Sequence, residues 1–170
     1  MLLPAGNKAV SLLMEYKEYE LSSNASLTVF GFISTGSNGT VPMAIKYTAT
    51  LNEHVYNLGY GSIISINERT GETEIDDISP SGNNDTFAVL ATVFRSVYAF
   101  TERHPDAYVL FGSSDPVKLR LYRMALTKNY SLVTETFDLF GAVTNAKGQL
   151  VNRPYDQNAN VRGYFLKRKL

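Results

Sequence analysis

The segment Asp85–Thr101 is nearly all apolar, and it constrains the fold more than any other part of the chain. After Asp85, Arg95 is its only charged residue. A helix that is apolar on every side is buried by its neighbours. We therefore predict a long buried helix here, capped by Asn84 or Asp85 and ended by His104-Pro105. The apolar stripe on one side consists of Phe87, Leu90, Ala91, Phe94, Val97, Tyr98 and Thr101.

The chain before this helix has the period-two alternation and the β-branched and aromatic residues that are typical of β-strands. We predict strands over 26–35, 43–51, 54–66 and 74–78, which together form an antiparallel meander. His54 is placed in the third strand. In the same strand, Gly59 and Gly61 predict a bulge or a close approach of two backbones. The turns between the strands contain Gly36–Gly39, Asn52-Glu53 and Thr70-Gly71.

The chain after the central helix predicts a short buried strand over 107–111 and then a second helix. Asp115 is placed at the N-cap of that helix and Pro116 at its first position, and the helix runs to about Asn129. We expect closing strands over 134–143 and 161–167, joined by a polar loop. The predicted apolar face of the second helix consists of Val117, Leu121, Met124 and Ala125.

These elements predict an α+β protein with an antiparallel, curved β-sheet packed around the long buried helix. The second helix lies near the C-terminal third of the chain. A length of 170 residues fits a single domain. Residues 1–15 are expected to form either a short helix or a flexible arm.

Composition narrows the function classes. The 16 basic and 16 acidic residues give a net charge of zero, which does not support nucleic acid as a partner. The absence of cysteine excludes disulfides, thiolate metal sites and a cysteine nucleophile. No apolar run reaches the roughly 18 residues of a membrane span, and no signal peptide is evident. We therefore predict a cytoplasmic location and no membrane partner, and leave a homo-oligomer open.

The junction Gly112-Ser113-Ser114 is the strongest candidate site. Free backbone N–H groups at a helix N-terminus, beside the hydroxyls of Ser113 and Ser114, can bind a phosphate or a carboxylate. Lys118 lies in the first helical turn and can assist. The alternative is that these residues only cap the helix.

Arg120 and Arg123 extend this candidate anion-binding surface, because arginine binds phosphate or carboxylate bidentately. The alternatives are a solvated helix face, or ion pairs with the acidic segment 72–77. In that segment Asp76 and Asp77 could bind a divalent cation or act in acid–base chemistry. Solubility of the turn, or pairing with these arginines, explains the two aspartates better than either role.

Other catalytic and metal signals are missing from the sequence. His54 and His104 match no metal-ligand spacing, and there is no Gly-x-Ser-x-Gly elbow. We predict no catalytic residues, no metal and no cofactor.

Short motifs follow one another from Glu74-Ile75-Asp76-Asp77 to Arg120-Leu121-Tyr122-Arg123-Met124, and together they resemble a family of small bacterial proteins of unknown function. The resemblance covers most of the chain from about Leu27 and implies one intact domain, but no activity. At the second helix Lys118 stands where a basic residue is expected, whereas Asp115-Pro116 gives a stronger cap than expected. The main motifs are Glu74-Ile75-Asp76-Asp77, Val89-Leu90-Ala91-Thr92-Val93, Val97-Tyr98-Ala99-Phe100-Thr101, Gly112-Ser113-Ser114 and Arg120-Leu121-Tyr122-Arg123-Met124.

Two functions stay open from the sequence. The first is a non-enzymatic binding or interaction module, with a protein partner or an anionic ligand at the 112–123 junction. The second is a small enzyme or ligand sensor for an anionic substrate, with the anion at Ser114 and with Asp76 or Asp77 as a base. The two differ in whether these carboxylates reach Ser113 and Arg123 in one concave site.

Overall fold

The computed structural model describes residues 2–3 and 16–170. The prediction of a helix or arm over residues 1–15 therefore lies outside the described residues, except at Leu2, which forms an isolated β-bridge with Ser22. None of the described helices is long and apolar enough to cross a membrane.

Among the described residues the fold is α+β, with nine largely antiparallel strands and three helices. The strands are β1 (Ser22–Ser23), β2 (Val29–Gly36), β3 (Gly39–Ala49), β4 (Val55–Ile66), β5 (Thr73–Asp76), β6 (Tyr108–Gly112), β7 (Phe137–Thr144), β8 (Leu150–Pro154) and β9 (Gly163–Arg168). The helices are α1 (Thr86–Arg103), α2 (Pro116–Lys128) and α3 (Tyr130–Thr136).

The chain divides into two compact units. Unit 1 comprises Met1–Tyr47 and Gly59–Arg103. Unit 2 comprises Thr48–Leu58 and His104–Leu170. Strand β4 contributes residues to both.

In unit 1 the hydrogen-bonded strand order is β1-β2-β3-β4, and β5 also pairs with β4. The β2–β3 turn has two residues, because Gly36 pairs with Gly39. Residue Gly61 on β4 allows a close approach, because a Cβ atom there would lie 1.9 Å from the carbonyl oxygen of Asp76. The close approach expected at Gly61 is therefore confirmed.

Helix α1 supplies much of the core of unit 1. Every residue from Val89 to Thr101 except Ala99 is buried, including Arg95. The Nε atom of Arg95 lies 3.7 Å from Oε1 of Glu18. A buried guanidinium requires such a partner, because an unpaired charge is costly in an apolar interior.

Tyr47 at the end of β3 also belongs to this core. Its ring stacks on Phe100 with the centroids 4.0 Å apart. Its hydroxyl is 2.7 Å from Oγ of Ser96 in a fully buried hydrogen bond. Burial raises the pKa of Tyr47 far above its ordinary value, although the hydrogen bond with Ser96 acts in the opposite direction.

In unit 2 the strand order is β4-β6-β9-β7-β8. The β4–β6 pair is parallel, with Val55 opposite Tyr108. The sheet is largely antiparallel, as predicted, but this pair departs from the prediction. A parallel neighbour needs a crossover connection, and the connection from β4 to β6 contains α1.

Two predictions for the last third of the chain are also wrong. Residues 134–136 belong to helix α3 and not to a strand, although they are rich in β-formers. The backbone N–H of Val133 donates to the carbonyl of Asn129 over 2.9 Å, so the chain turns almost directly from α2 into α3. Burial of Val133 then outweighs local strand propensity. The loop predicted between the closing strands contains strand β8, which pairs with β7.

His54 is not in a strand. It precedes β4 and adopts a left-handed backbone conformation, with a φ of 70°. Leu51, predicted as part of the preceding strand, is fully exposed in the same turn. The turn therefore occupies more residues than Asn52-Glu53 alone.

Candidate functional site

The junction between β6 and α2 has the predicted cap. Oδ1 of Asp115 accepts a hydrogen bond from the backbone N–H of Val117 over 2.9 Å, and Pro116 occupies the start of the helix. Oγ of Ser113 accepts a hydrogen bond from the N–H of Asp115 over 3.0 Å. The carboxylate of Asp115 thus already binds one N–H group of the helix N-terminus, and its negative charge opposes a second anion there. The anion site at Ser113 and Ser114 stays a prediction.

Helix α2 is strongly basic. It carries Lys118, Arg120, Arg123 and Lys128 and contains no acidic residue. Within the described part of the chain, the side chains of Arg120 and Arg123 make no hydrogen bond and no ion pair.

The outer face of α2 also exposes apolar side chains. Val117 is 65% exposed and Met124 is 48% exposed. The helix buries Tyr122, Ala125 and Leu126 instead. The predicted apolar face is therefore wrong for Val117 and Met124, and right for Ala125. Tyr122 packs edge-on against Phe111 of β6, with ring centroids 5.3 Å apart, and this contact fixes the buried side of the helix.

A cluster of tyrosines lies beside Arg123 in unit 2. The rings of Tyr155 and Tyr164 are 5.9 Å apart, and the hydroxyl of Tyr155 is 2.6 Å from Oγ1 of Thr127 on α2. Burial raises the pKa of Tyr164 to about 12; the nearby Tyr155 also raises it, and the charge of Arg123 lowers it. The sequence reasoning missed this cluster, because its members lie on separate elements.

The candidate acidic residues Asp76 and Asp77 belong to unit 1, whereas the candidate anion-binding residues belong to unit 2: Ser113, Ser114, Lys118, Arg120 and Arg123. Oδ1 of Asp76 accepts hydrogen bonds from the N–H groups of Ile78 and Ser79, both over 3.0 Å. That carboxylate therefore shapes the turn after β5. The described residues contain no group of three potential metal ligands.

The sequence reasoning also missed a polar cluster in front of α1. The carboxylate of Asp85 accepts hydrogen bonds from the hydroxyls of Ser34 at 2.5 Å, Tyr19 at 2.7 Å and Ser81 at 2.8 Å. Partial burial acts to raise the pKa of Asp85, but these three hydrogen bonds and one from the backbone N–H of Asp85 outweigh it, so the net pKa is lowered.

Buried Asn83 extends this cluster. Its Nδ2 donates to Oγ of Ser34 over 2.9 Å, and its Oδ1 accepts from the N–H of Asn38 over 2.6 Å. We name Tyr19, Ser34, Ser81, Asn83 and Asp85 the Asp85 cluster. With its hydrogen bonds made inside the protein, the cluster ties the loop before α1 to the β2–β3 hairpin.

The fold and these surfaces define a small α+β protein with a basic, partly apolar helix surface. The chain belongs to a family of unknown function, DUF6934, whose model matches residues 15–169. The resemblance to a family of unknown function is thereby confirmed. Searches of curated proteins and of solved structures find no match to the chain.

Proposed function

We propose that the protein is a non-enzymatic interaction module that binds an acidic, partly apolar protein segment on the outer face of α2. The observation that carries this proposal is the combination on one helix of four basic residues, no acidic residue and two exposed apolar side chains. The outer face is defined by Val117, Arg120, Arg123, Met124 and Lys128, whereas Lys118 lies on the side of the helix that buries Tyr122 and Ala125.

Charge is the first argument. The whole chain is electrically neutral, whereas α2 alone carries four positive side chains. Arg120 and Arg123 have no ionic partner in the described part of the chain, so their guanidinium groups are available to carboxylates. Arginine binds carboxylates through two parallel hydrogen bonds, which gives orientation as well as attraction.

The exposed apolar groups favour a protein partner over a small inorganic anion. Arginine and methionine are enriched in the cores of protein interfaces. Val117 and Met124 cannot make a hydrogen bond or an ion pair with a phosphate, but an apolar side chain of a peptide can bury them. At the helix N-terminus itself, the carboxylate of Asp115 opposes a free anion.

Nucleic acid is a weaker partner for the same surface. Its affinity depends on neutralising many phosphates, and a neutral chain with four basic residues on one helix offers few contacts. The alternative of an enzyme or sensor for an anionic substrate stays a prediction. The residues that it requires, Asp76 or Asp77 and Ser114, lie in different compact units.

Three further points belong to this proposal. We propose that the sheet of unit 1 curves around α1, which the burial of α1 from Val89 to Thr101 supports.

A cytoplasmic location and a bacterial source stay predictions. A homo-oligomer is tested by the molar mass in solution, measured by light scattering.

The binding proposal is tested with a synthetic amphipathic peptide rich in Glu and Leu, labelled for fluorescence polarisation. We expect binding at low ionic strength that weakens as salt is added. The double variant Arg120→Glu with Arg123→Glu should weaken binding at least tenfold, or about 1.4 kcal/mol. A matched control, Lys147→Glu with Arg162→Glu, makes the same charge change on other exposed residues of unit 2.

Two peptides separate the classes of partner. A peptide with Lys in place of Glu should not bind, and a Glu/Ser peptide without Leu should bind more weakly than the Glu/Leu peptide. Equal binding of the double variant and the control would contradict the proposal. Tighter binding of a single-stranded oligonucleotide than of the Glu/Leu peptide would replace the protein partner by nucleic acid.

A further inference from the structure

A second feature of unit 2 is independent of α2. It is an open cleft of about 310 Å³, formed where the turn before β4 meets β6, β8 and β9. That volume lies at the lower end of the range for small-molecule sites. The walls are largely apolar and include Val55, Tyr108, Val151 and Phe165.

His54 lines this cleft in a strained conformation. Its φ of 70° is uncommon for a residue with a side chain. The turn holds it there, because the N–H of Val55 donates to the carbonyl of Asn52 over 3.1 Å and the N–H of Tyr108 donates to the carbonyl of His54 over 2.7 Å. Glycine would meet the same backbone requirement without strain. Histidine is among the residues with a side chain that adopt this conformation most readily, but the turn itself does not require an imidazole.

Two side-chain amides line the same cleft. Asn52 lies on the turn and Asn152 lies on β8. Neither amide group makes a hydrogen bond within the described part of the chain. Each amide offers one acceptor and two donors. The cleft thus combines aromatic walls with two groups that can each donate and accept.

Charge restricts the ligand. Glu53 is the one fully charged residue among those lining the cleft, and its Oε1 lies 3.6 Å from Nε2 of His54. A negative carboxylate at the rim disfavours anionic ligands. The same carboxylate does not repel an uncharged ring.

We propose that this cleft binds a small, uncharged, planar heteroaromatic ring whose edge carries both hydrogen-bond donors and acceptors. Asn152 and Asn52 bind the edge of the ring, in the way that asparagine pairs with an adenine edge. Tyr108 and Phe165 contact its apolar surface, and His54 supplies a further polar group at the rim. Free nucleobases are the simplest members of this chemical class.

The test uses adenine, cytosine, adenosine and adenosine monophosphate with the full chain, followed by saturation-transfer NMR and calorimetry. We expect adenine or cytosine to bind with a Kd of about 1 mM or below, which is reasonable for about ten heavy atoms. Adenosine monophosphate should bind at least fivefold more weakly than adenosine, because Glu53 repels the phosphate.

Variants separate strain from binding. His54→Gly should leave the melting temperature unchanged or raise it, while weakening binding of the base at least fivefold. His54→Asn keeps a residue that tolerates this backbone conformation and serves if the glycine variant does not fold. Asn152→Leu should weaken binding by a similar factor, and Asn160→Leu, at an exposed asparagine outside the cleft, should not.

Two outcomes overturn this inference. One is that none of the four compounds binds. The other is that binding is unchanged in both Asn152→Leu and the folded His54 variant. Neither outcome affects the proposal for α2, whose test uses other residues and another probe.

Discussion

Both long helices follow directly after an aspartate, but the two carboxylates have different partners. The carboxylate of Asp85 is held by three hydroxyl groups from separate parts of unit 1. The carboxylate of Asp115 binds the N–H of Val117, two residues further along the chain, and is otherwise exposed. The same residue at the same position therefore serves tertiary structure in one case and local capping in the other.

This difference indicates where function can lie. Around Asp85 the polar groups bind one another, and their removal should affect stability. On the helix that follows Asp115, Arg120 and Arg123 make no hydrogen bond or ion pair within the described residues, and their removal should affect binding. The predictions below test this contrast, from the largest expected effect to the smallest.

Asp85→Ala should destabilise the protein by about 3 kcal/mol, because hydrogen bonds to a charged group are strong and buried Ser34 loses its acceptor. Urea denaturation followed by circular dichroism measures the change. A loss below about 1 kcal/mol would mean that Asp85 is no more than a local cap.

Asn83→Ala should cost about 2 kcal/mol, since the side chain is buried and joins Ser34, Asn38 and Gly39. The neighbouring Asn84→Ala is an imperfect control, because Asn84 has a positive φ. Glycine adopts a positive φ without strain, so Asn84→Gly removes the side chain and should leave the free energy of unfolding almost unchanged. If Asn83→Ala and Asn84→Gly lowered the free energy of unfolding equally, the hydrogen bonds of Asn83 would not explain the loss of stability.

Asp115→Ala should cost about 1 kcal/mol, as is usual for loss of an N-cap. Asp115→Asn should restore most of it, because the amide oxygen can accept from the same N–H group. The same urea experiment measures both variants. A cost equal to that of Asp85→Ala would abolish the contrast between the two helix starts.

A low pH should remove part of the stabilisation that the ionised carboxylate of Asp85 gives to the folded protein. Its pKa is lower in the folded protein than the ordinary value of 3.8, so ionised Asp85 stabilises the fold at neutral pH. This stabilisation is lost as the pH falls below 3.8 and through the folded pKa. The difference in unfolding free energy between the wild type and Asp85→Asn should therefore shrink between pH 5 and the acid limit of about pH 2. A difference that grows in acid would contradict the lowered pKa.

Sequence patterns predicted the elements whose signals are local. The β2–β3 turn follows from two glycines that flank Ser37-Asn38, and the start of α2 follows from Asp115-Pro116. Helix α3 and strand β8 were missed because their assignment depends on distant partners. The buried side of α2 was also missed. That helix has two apolar stripes, and only the contact between Tyr122 and Phe111 decides which one is buried.

The candidate site was predictable in part. The basic residues of α2 are visible in the sequence, because helical spacing places Arg120 and Arg123 near each other. The left-handed conformation of His54 is not visible, since the same residues would also fit a strand. The cleft is likewise invisible, because it joins a turn to strands about 50 and 100 residues away along the chain.

The buried hydroxyl of Tyr47 gives unit 1 an optical probe of its own. The chain contains eleven tyrosines and no tryptophan, so its near-ultraviolet absorbance comes mainly from phenol rings. An exposed phenol ionises near pH 10, whereas that of Tyr47 stays protonated as long as the core around Ser96 and Phe100 is closed. In an alkaline titration, Tyr47 and Tyr164 should both ionise later than the exposed phenols, and the last absorbance change should report the opening of the core around Tyr47.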